Sequence, residues 1–179
     1  MRIEHHLARR ALLAAVAATL VPTTVVPALA AQGTPVASGS VTLPSGLTAV
    51  GSDMPGAALY VTAKPIDTST GIYAQAGKVP PLAAARYPSP IEWPFSFSLT
   101  TNDLTPEFAN VEPSAWKLVD LTVTARYDTD GVAATRGPDD LVGRGILSKR
   151  GAADPEAWSP AKVELQGRGL TGRLLTGGK

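Results

Sequence analysis

Along this chain apolar and polar residues alternate with a period of two in short bursts, and proline, glycine or aspartate ends each burst. Successive side chains of a strand point to opposite faces, so each burst turns an apolar face to a core and a polar face to water. Phe95-Ser-Phe-Ser-Leu99 is the cleanest case, with large apolar residues on one side and serines on the other. Val41 and Leu43 share a face in Gly39 to Leu43, as do Leu59, Val61 and Ala63 in Ala57 to Lys64. The longest run, Lys117 to Tyr127, aligns Val119, Leu121, Val123, Ala125 and Tyr127, with Thr122, Thr124 and Arg126 opposite. Val163 and Leu165 repeat the pattern in Lys162 to Gln166, and Leu82 to Arg86 and Leu141 to Leu147 are weaker strand candidates. Sixteen prolines argue against long helices and suit loops and edge strands. Thr105 to Asn110 has the makings of one helical turn, with Thr105 as cap and Pro106 at the first helical position. The pattern predicts an all-β fold, an antiparallel β-sandwich of about seven strands. Its predicted core is Val41, Leu59, Val61, Phe95, Phe97, Leu99, Leu121, Val123, Val163 and Leu165.

The first thirty residues read differently. Arg2, Arg9 and Arg10 precede the apolar run Ala11 to Val21, and Ala28-Leu29-Ala30 supplies small residues ahead of Ala31. That is the layout of a cleavable export signal over 1–30, cut after Ala30. The apolar run is about half the ~20 residues a spanning helix needs, so the signal is expected to leave no membrane insertion behind. Arg9-Arg10 also fits a twin-arginine signal, and the expected compartment is a bacterial periplasm or a thylakoid lumen. The remaining sequence divides into a linker at 31–38, the β-domain at 39–166 and a Gly-rich tail at 167–179 that is expected to fray.

The cut also decides which chemistry is open. Both histidines, His5 and His6, lie in the signal, and the chain has no cysteine. The segment from Ala31 onward therefore has no imidazole and no thiol. That excludes Ser-His-Asp and Cys-His catalysis, histidine general bases, and zinc, copper or iron sites built on imidazole or thiolate. It also excludes Cys-x-x-Cys-His haem attachment and disulfides. Three basic residues and Glu4 leave with the signal, so the remainder is close to neutral and gives no overall footprint for nucleic acid. The expectation is a protein that is no enzyme and carries no cofactor and no metal.

Several constellations remain. Asp128-Thr-Asp130-Gly131 looks like half a calcium loop, with Asp139 at position twelve, and could hold Ca²⁺ weakly through Asp128, Asp130 and Asp139. The simpler expectation is an Asp-Gly turn joining the Lys117 to Tyr127 strand to a strand at Val132 to Thr135. Asp139-Asp140 read as a solvated turn. Ser148 and Lys149 cannot form a dyad on a strand, because neighbours point to opposite faces. Trp116 is expected to cap the core. Tyr73, in the insertion Ile66 to Lys78, and Trp158, in the charged insertion Gly151 to Pro160, are expected to be exposed partner-binding aromatics.

Taken together, these segments resemble the C-terminal periplasmic domain of the CcmI (CycH) family of cytochrome c maturation proteins. Gly39-Ser-Val41-Thr-Leu43, Leu59-Tyr-Val61-Thr-Ala63-Lys64 and Pro81-Leu82-Ala83 followed by Arg86 carry the likeness in the first half. Phe95 to Leu99 with Asp103-Leu104-Thr-Pro106, Val123-Thr-Ala125-Arg126 with Asp130-Gly131, and Asp140-Leu141-Val-Gly143 carry it in the second. The resemblance covers about Gly39 to Gln166 and implies an immunoglobulin-like domain. The family's membrane helices and helical-repeat region have no counterpart here. The expected function is a non-enzymatic exported accessory module that helps assemble an electron-transfer protein, with an apocytochrome as protein partner. The alternative is a structural subunit on the lumenal or periplasmic face of a membrane complex, for example a photosynthetic one. A histidine-free enzyme is the third reading.

Overall fold

A computed structural model of the protein describes residues 33–44, 54–66 and 80–167, all within the compact unit Ala31–Lys179. Its strands are β1 (Pro35–Thr42), β2 (Ala58–Pro65), β3 (Ala83–Pro88), β4 (Phe95–Thr100), β5 (Leu121–Asp128), β6 (Leu141–Leu147), β7 (Ala161–Glu164) and β8 (Gln166–Gly167). Among the described residues the helical elements are short 3-10 turns at Thr101–Asp103, Pro113–Ala115 and Pro155–Ala157. The fold is all-β, as the alternation requires.

The strands form two sheets, one in the order β4-β1-β7 and one in the order β3-β2-β5-β6-β8. Every pairing is antiparallel except β1 with β7. One hydrophobic cluster draws on both sheets. Val41, Phe97, Leu99 and Val163 enter it from the smaller sheet, and Leu59, Val61, Leu121 and Val123 from the larger. Leu165, between β7 and β8, is also fully buried. Phe95 is the exception among the predicted core residues: it starts β4 at the margin and is half-buried, its ring 4.8 Å from that of Tyr87.

The strand boundaries depart from the alternation at two places, each for a backbone reason. β1 begins at Pro35, inside the segment expected to be a linker. Its ladder to β4 shifts register between Pro35 and Ala37, so the neighbours Val36 and Ala37 are both buried and the period-2 signal is lost there. β5 begins at Leu121, not at Lys117. The Lys117 and Val119 amides donate to Pro113 O and Trp116 O, which continues the turn opened by Pro113. The predicted turn after Thr105 is present, with Phe108 and Ala109 amides donating to Thr105 O, but the Thr105 hydroxyl donates to Pro81 O instead of capping.

The two sheets meet along β6 and β7. β8 pairs only with Leu141 and Val142 of β6; beyond that point the chain running back through Leu165 leaves β6 to pair with β1. β7 still lies close alongside. A Cβ on Gly143 would collide with the Glu164 carbonyl and sit 2.8 Å from Val163 Cγ1, and one on Gly145 would collide with the Lys162 carbonyl. Both glycines are required by this close approach of backbones. Gly143→Val is expected to cost about 1–3 kcal/mol by overpacking, read as a lower denaturation midpoint. A variant as stable as the parent would contradict the contact.

Candidate functional site

Of the residues singled out from the sequence, those that the structure describes gather mainly in two polar clusters, one at each end of β5. At its N-terminal end lies Trp158, expected to be exposed and instead only 6% exposed. Asp154 caps the 3-10 turn Pro155–Ala157, its Oδ1 accepting from Glu156 N at 3.0 Å, and the turn folds Trp158 back towards the core. The indole Nε1–H donates to Ala152 O at 3.0 Å, and Ser148 and Ser159 bridge to close the excursion. Trp158 is thus a packing residue and not an exposed contact. Tyr73 lies outside the described residues, as do residues 67–78 of its insertion.

Trp158 packs on a residue that alternation gave no reason to prize. Lys149 is fully buried, its Nζ 3.9 Å from the Trp158 ring centroid and 4.9 Å from that of Trp116. Trp116 is itself fully buried, as expected of a core cap. Among the described residues Lys149 Nζ has no hydrogen-bond partner. Burial pushes this amine down to about 7, and the nearby Lys117 charge adds to the effect. The indole faces act the other way, because a ring quadrupole attracts a cation. Asp120 fixes the geometry: its Oδ1 accepts from Lys149 N at 2.8 Å, Arg150 N at 2.9 Å and the Ser148 hydroxyl at 3.3 Å. The Lys149 backbone bond is the main reason the Asp120 carboxyl sits below its ordinary range. Ser148 is exposed while Lys149 is buried, so the two point apart and form no dyad.

At the other end of β5 the carboxylates do converge, around a cation already in the chain. Arg126 Nη2 lies 2.7 Å from Asp128 Oδ2, and Nη1 lies 3.6 Å from Asp140 Oδ2. Asp128 and Asp140 are 0% and 1% exposed, so Asp140 is not part of the solvated turn expected of Asp139-Asp140; Asp139 is exposed. Asp128 Oδ1 accepts from Gly131 N at 2.9 Å and Asp130 N at 3.2 Å, which makes the predicted turn. Gly131 takes φ +67°, a left-handed conformation that suits glycine. No strand follows at Val132 to Thr135. Residues 129–140 instead form a loop on the outer face of the larger sheet, where Arg126 donates to Thr135 O at 2.6 Å and Ala133 O at 3.0 Å. Beneath it the Tyr60 ring stacks 5.2 Å from Arg126, and its hydroxyl donates to Gly131 O at 2.6 Å.

The electrostatics match this closed arrangement. Burial pushes the Asp128 carboxyl up, and its hydrogen bond with Asp130 adds to the rise. The Thr135 hydroxyl and the Val132 amide hold Asp130 down. Among the described residues no group of three or more carboxylates is arranged to hold a metal ion. Of the three carboxylates in the calcium reading, Asp128 is paired with Arg126, Asp130 accepts from the Thr135 hydroxyl, and Asp139 is exposed.

Among the described residues both clusters are closed by their own side chains. On the side away from the β6–β7 seam, β3 and β4 each end their sheet, with, among the described residues, a single bridge from Leu104 to Ala83 at the start of β3. β4 carries exposed Ser96 and Ser98 there, and β3 carries exposed Ala84 and Arg86. Comparison with protein-family models, with curated proteins and with solved structures finds no match.

Proposed function

We propose that this chain is an exported, non-catalytic binding module with an immunoglobulin-like β-sandwich, resembling the C-terminal domain of the CcmI family. In this reading it assists assembly of an electron-transfer protein and takes an apocytochrome c as its partner. The observation that carries the binding part is that β3 and β4 finish their sheets on the same side without a further strand among the described residues, although Leu104 bridges to Ala83 at the start of β3 and the Tyr87 hydroxyl donates to Ser98 O of β4. An extended peptide adds to such an edge through main-chain hydrogen bonds, with specificity left to alternate side chains. Open edges are an aggregation hazard when nothing occupies them, which gives a partner strand a place to go. The export signal at 1–30 and the absence of histidine and cysteine from Ala31 onward agree with an assembly role in an exported compartment.

Affinity purification of the native protein, with mass spectrometry and a blue-native gel, tests this. Transient capture of an apocytochrome, and an N-terminus at Ala31, are the expected results. Constant co-migration with one large membrane complex would replace the reading with that of a structural subunit. An N-terminus at Met1 in the native compartment would overturn export.

A further inference from the structure

Charge is segregated on this domain in a way the whole-chain balance hides. Among the described residues acidic side chains outnumber basic ones, and nearly all the acids lie in loops and turns. The four long strands of the larger sheet carry a single carboxylate, Asp128, and it is buried against Arg126. The outward residues of the strands themselves are therefore cationic, while the 129–140 loop over the Arg126 end of the face adds the exposed Asp130 and Asp139. Lys64, Arg86 and Arg144 stand on this face and form no ion pair among the described residues. Between them the registers Thr62 with Thr124 and Lys64 with Thr122 set a flat floor of threonines. Ile146, opposite Thr122, is 63% exposed and adds one apolar foothold at the margin.

At the same margin a groove of about 460 Å³ opens over the β6–β7 seam. It is lined by Val142, Gly143, Arg144, Lys162, Glu164 and Gln166, so Arg144 faces both the sheet surface and the groove. Lys162 adds a second cation, and Glu164 is the one carboxylate in the lining.

We propose that the cationic outer face of the five-stranded sheet, with its marginal groove between Arg144 and Lys162, docks an acidic protein segment. The proposal rests on the reading of the chain as a protein-binding module and supplies the chemistry of its partner. Strands whose outward cations are unpaired, and whose one carboxylate is buried against Arg126, favour negative charge away from the exposed Asp130 and Asp139 of the 129–140 loop. Three face cations on a hydroxyl floor beside an exposed isoleucine suit carboxylate side chains with one or two apolar residues between them. A nucleic acid or membrane surface would call for a denser basic tract and no apolar foothold.

The test is a titration of the full chain, followed by amide NMR, with an eight-residue peptide in which glutamates flank two leucines. Saturable shifts are expected at Thr62, Thr122, Thr124 and Ile146, weakening as salt rises past the point where exposed charges are screened. Lys64→Glu with Arg144→Glu, both on exposed or half-buried positions, should leave the spectrum folded and weaken the peptide at least about tenfold, since like charges now oppose. The same peptide with lysine for glutamate should not bind. Shifts confined to the β3 or β4 edge, or no loss on charge reversal, would overturn the surface while leaving the edge-binding reading standing. Tighter binding of a DNA duplex or of phosphatidylglycerol vesicles to these residues would overturn the choice of a protein partner. Failure to capture an apocytochrome bears on the broader reading and not on this surface.

Discussion

Arg126→Ala is expected to cost about 3–5 kcal/mol of stability and to free the loop at 129–140. The guanidinium is the counter-charge to Asp128 and Asp140, both essentially without solvent access. Removing one partner of a buried ion pair leaves the other charge uncompensated in a poorly polarisable site, and that loss is large. Here Asp128 loses its 2.7 Å ion pair, while Asp140 keeps its bonds from Gly137 N and Thr129 N. The loop also loses the donors that hold Thr135 O and Ala133 O, and Tyr60 loses the cation stacked on its ring. The pH dependence has a definite sign. Burial already raises Asp128 in the folded state, and without Arg126 that carboxyl rises further above its unfolded value. The folded variant then binds protons more readily than the unfolded chain, so its deficit should shrink as pH falls from 7 towards 5. Urea denaturation at both pH values measures this, and Arg126→Lys, which keeps the charge but not the fork, should fall in between. An alanine variant within about 0.5 kcal/mol of the parent at pH 7 would show that the cluster is solvated after all.

Local structure is legible in the sequence, and structure that depends on distant contacts is not. β6 runs from Leu141 to Leu147, the segment marked as a weaker strand, because each apolar or glycine position on one face alternates with Val142, Arg144 and Ile146. Alternation puts Arg126 on the outward face, yet its burial depends on a loop returning from residues 133 and 135. Trp158 looked exposed because charged and small residues surround it in sequence. Its burial is set by the cap at Asp154 and by the bridge from Ser148 to Ser159. The Asp154-Pro155 pair was a legible signal for that turn, since a capping aspartate before proline starts a helical turn. Nothing local announces Asp120, whose one oxygen gathers donors 28–30 residues further along the chain. The cationic face was equally hidden. It appears only when β2, β3, β5 and β6 lie side by side and bring Lys64, Arg86 and Arg144 onto one surface.

The second large effect concerns Lys149 and the two indoles around it. Trp116→Ala is expected to cost about 3–5 kcal/mol, the usual range for truncating a buried aromatic, because Trp116 is fully buried and walls in the Lys149 amine. Lys149→Met should behave in the opposite way. A methionine fills a similar volume without burying an amine that has no hydrogen-bond partner, and replacing a buried charge by a packed apolar group is often neutral or stabilising. The pH profile separates electrostatics from packing. Burial holds the folded-state amine at about 7, below its ordinary 10.5. Between those values the unfolded chain binds the proton and the folded one does not, so parent stability should rise with pH across that window. The limiting slope is about 1.4 kcal/mol per pH unit, and the attraction of the indoles for the charged form reduces it. Chemical denaturation between pH 7.5 and 9.5, where few other groups titrate, reads this slope directly. It should vanish in Lys149→Met and persist, on a lower baseline, in a conservative Trp116→Phe. If the parent profile is flat, or if Lys149→Met keeps the same slope, the amine is charged in the folded protein at neutral pH and the two tryptophans stabilise it as a cation.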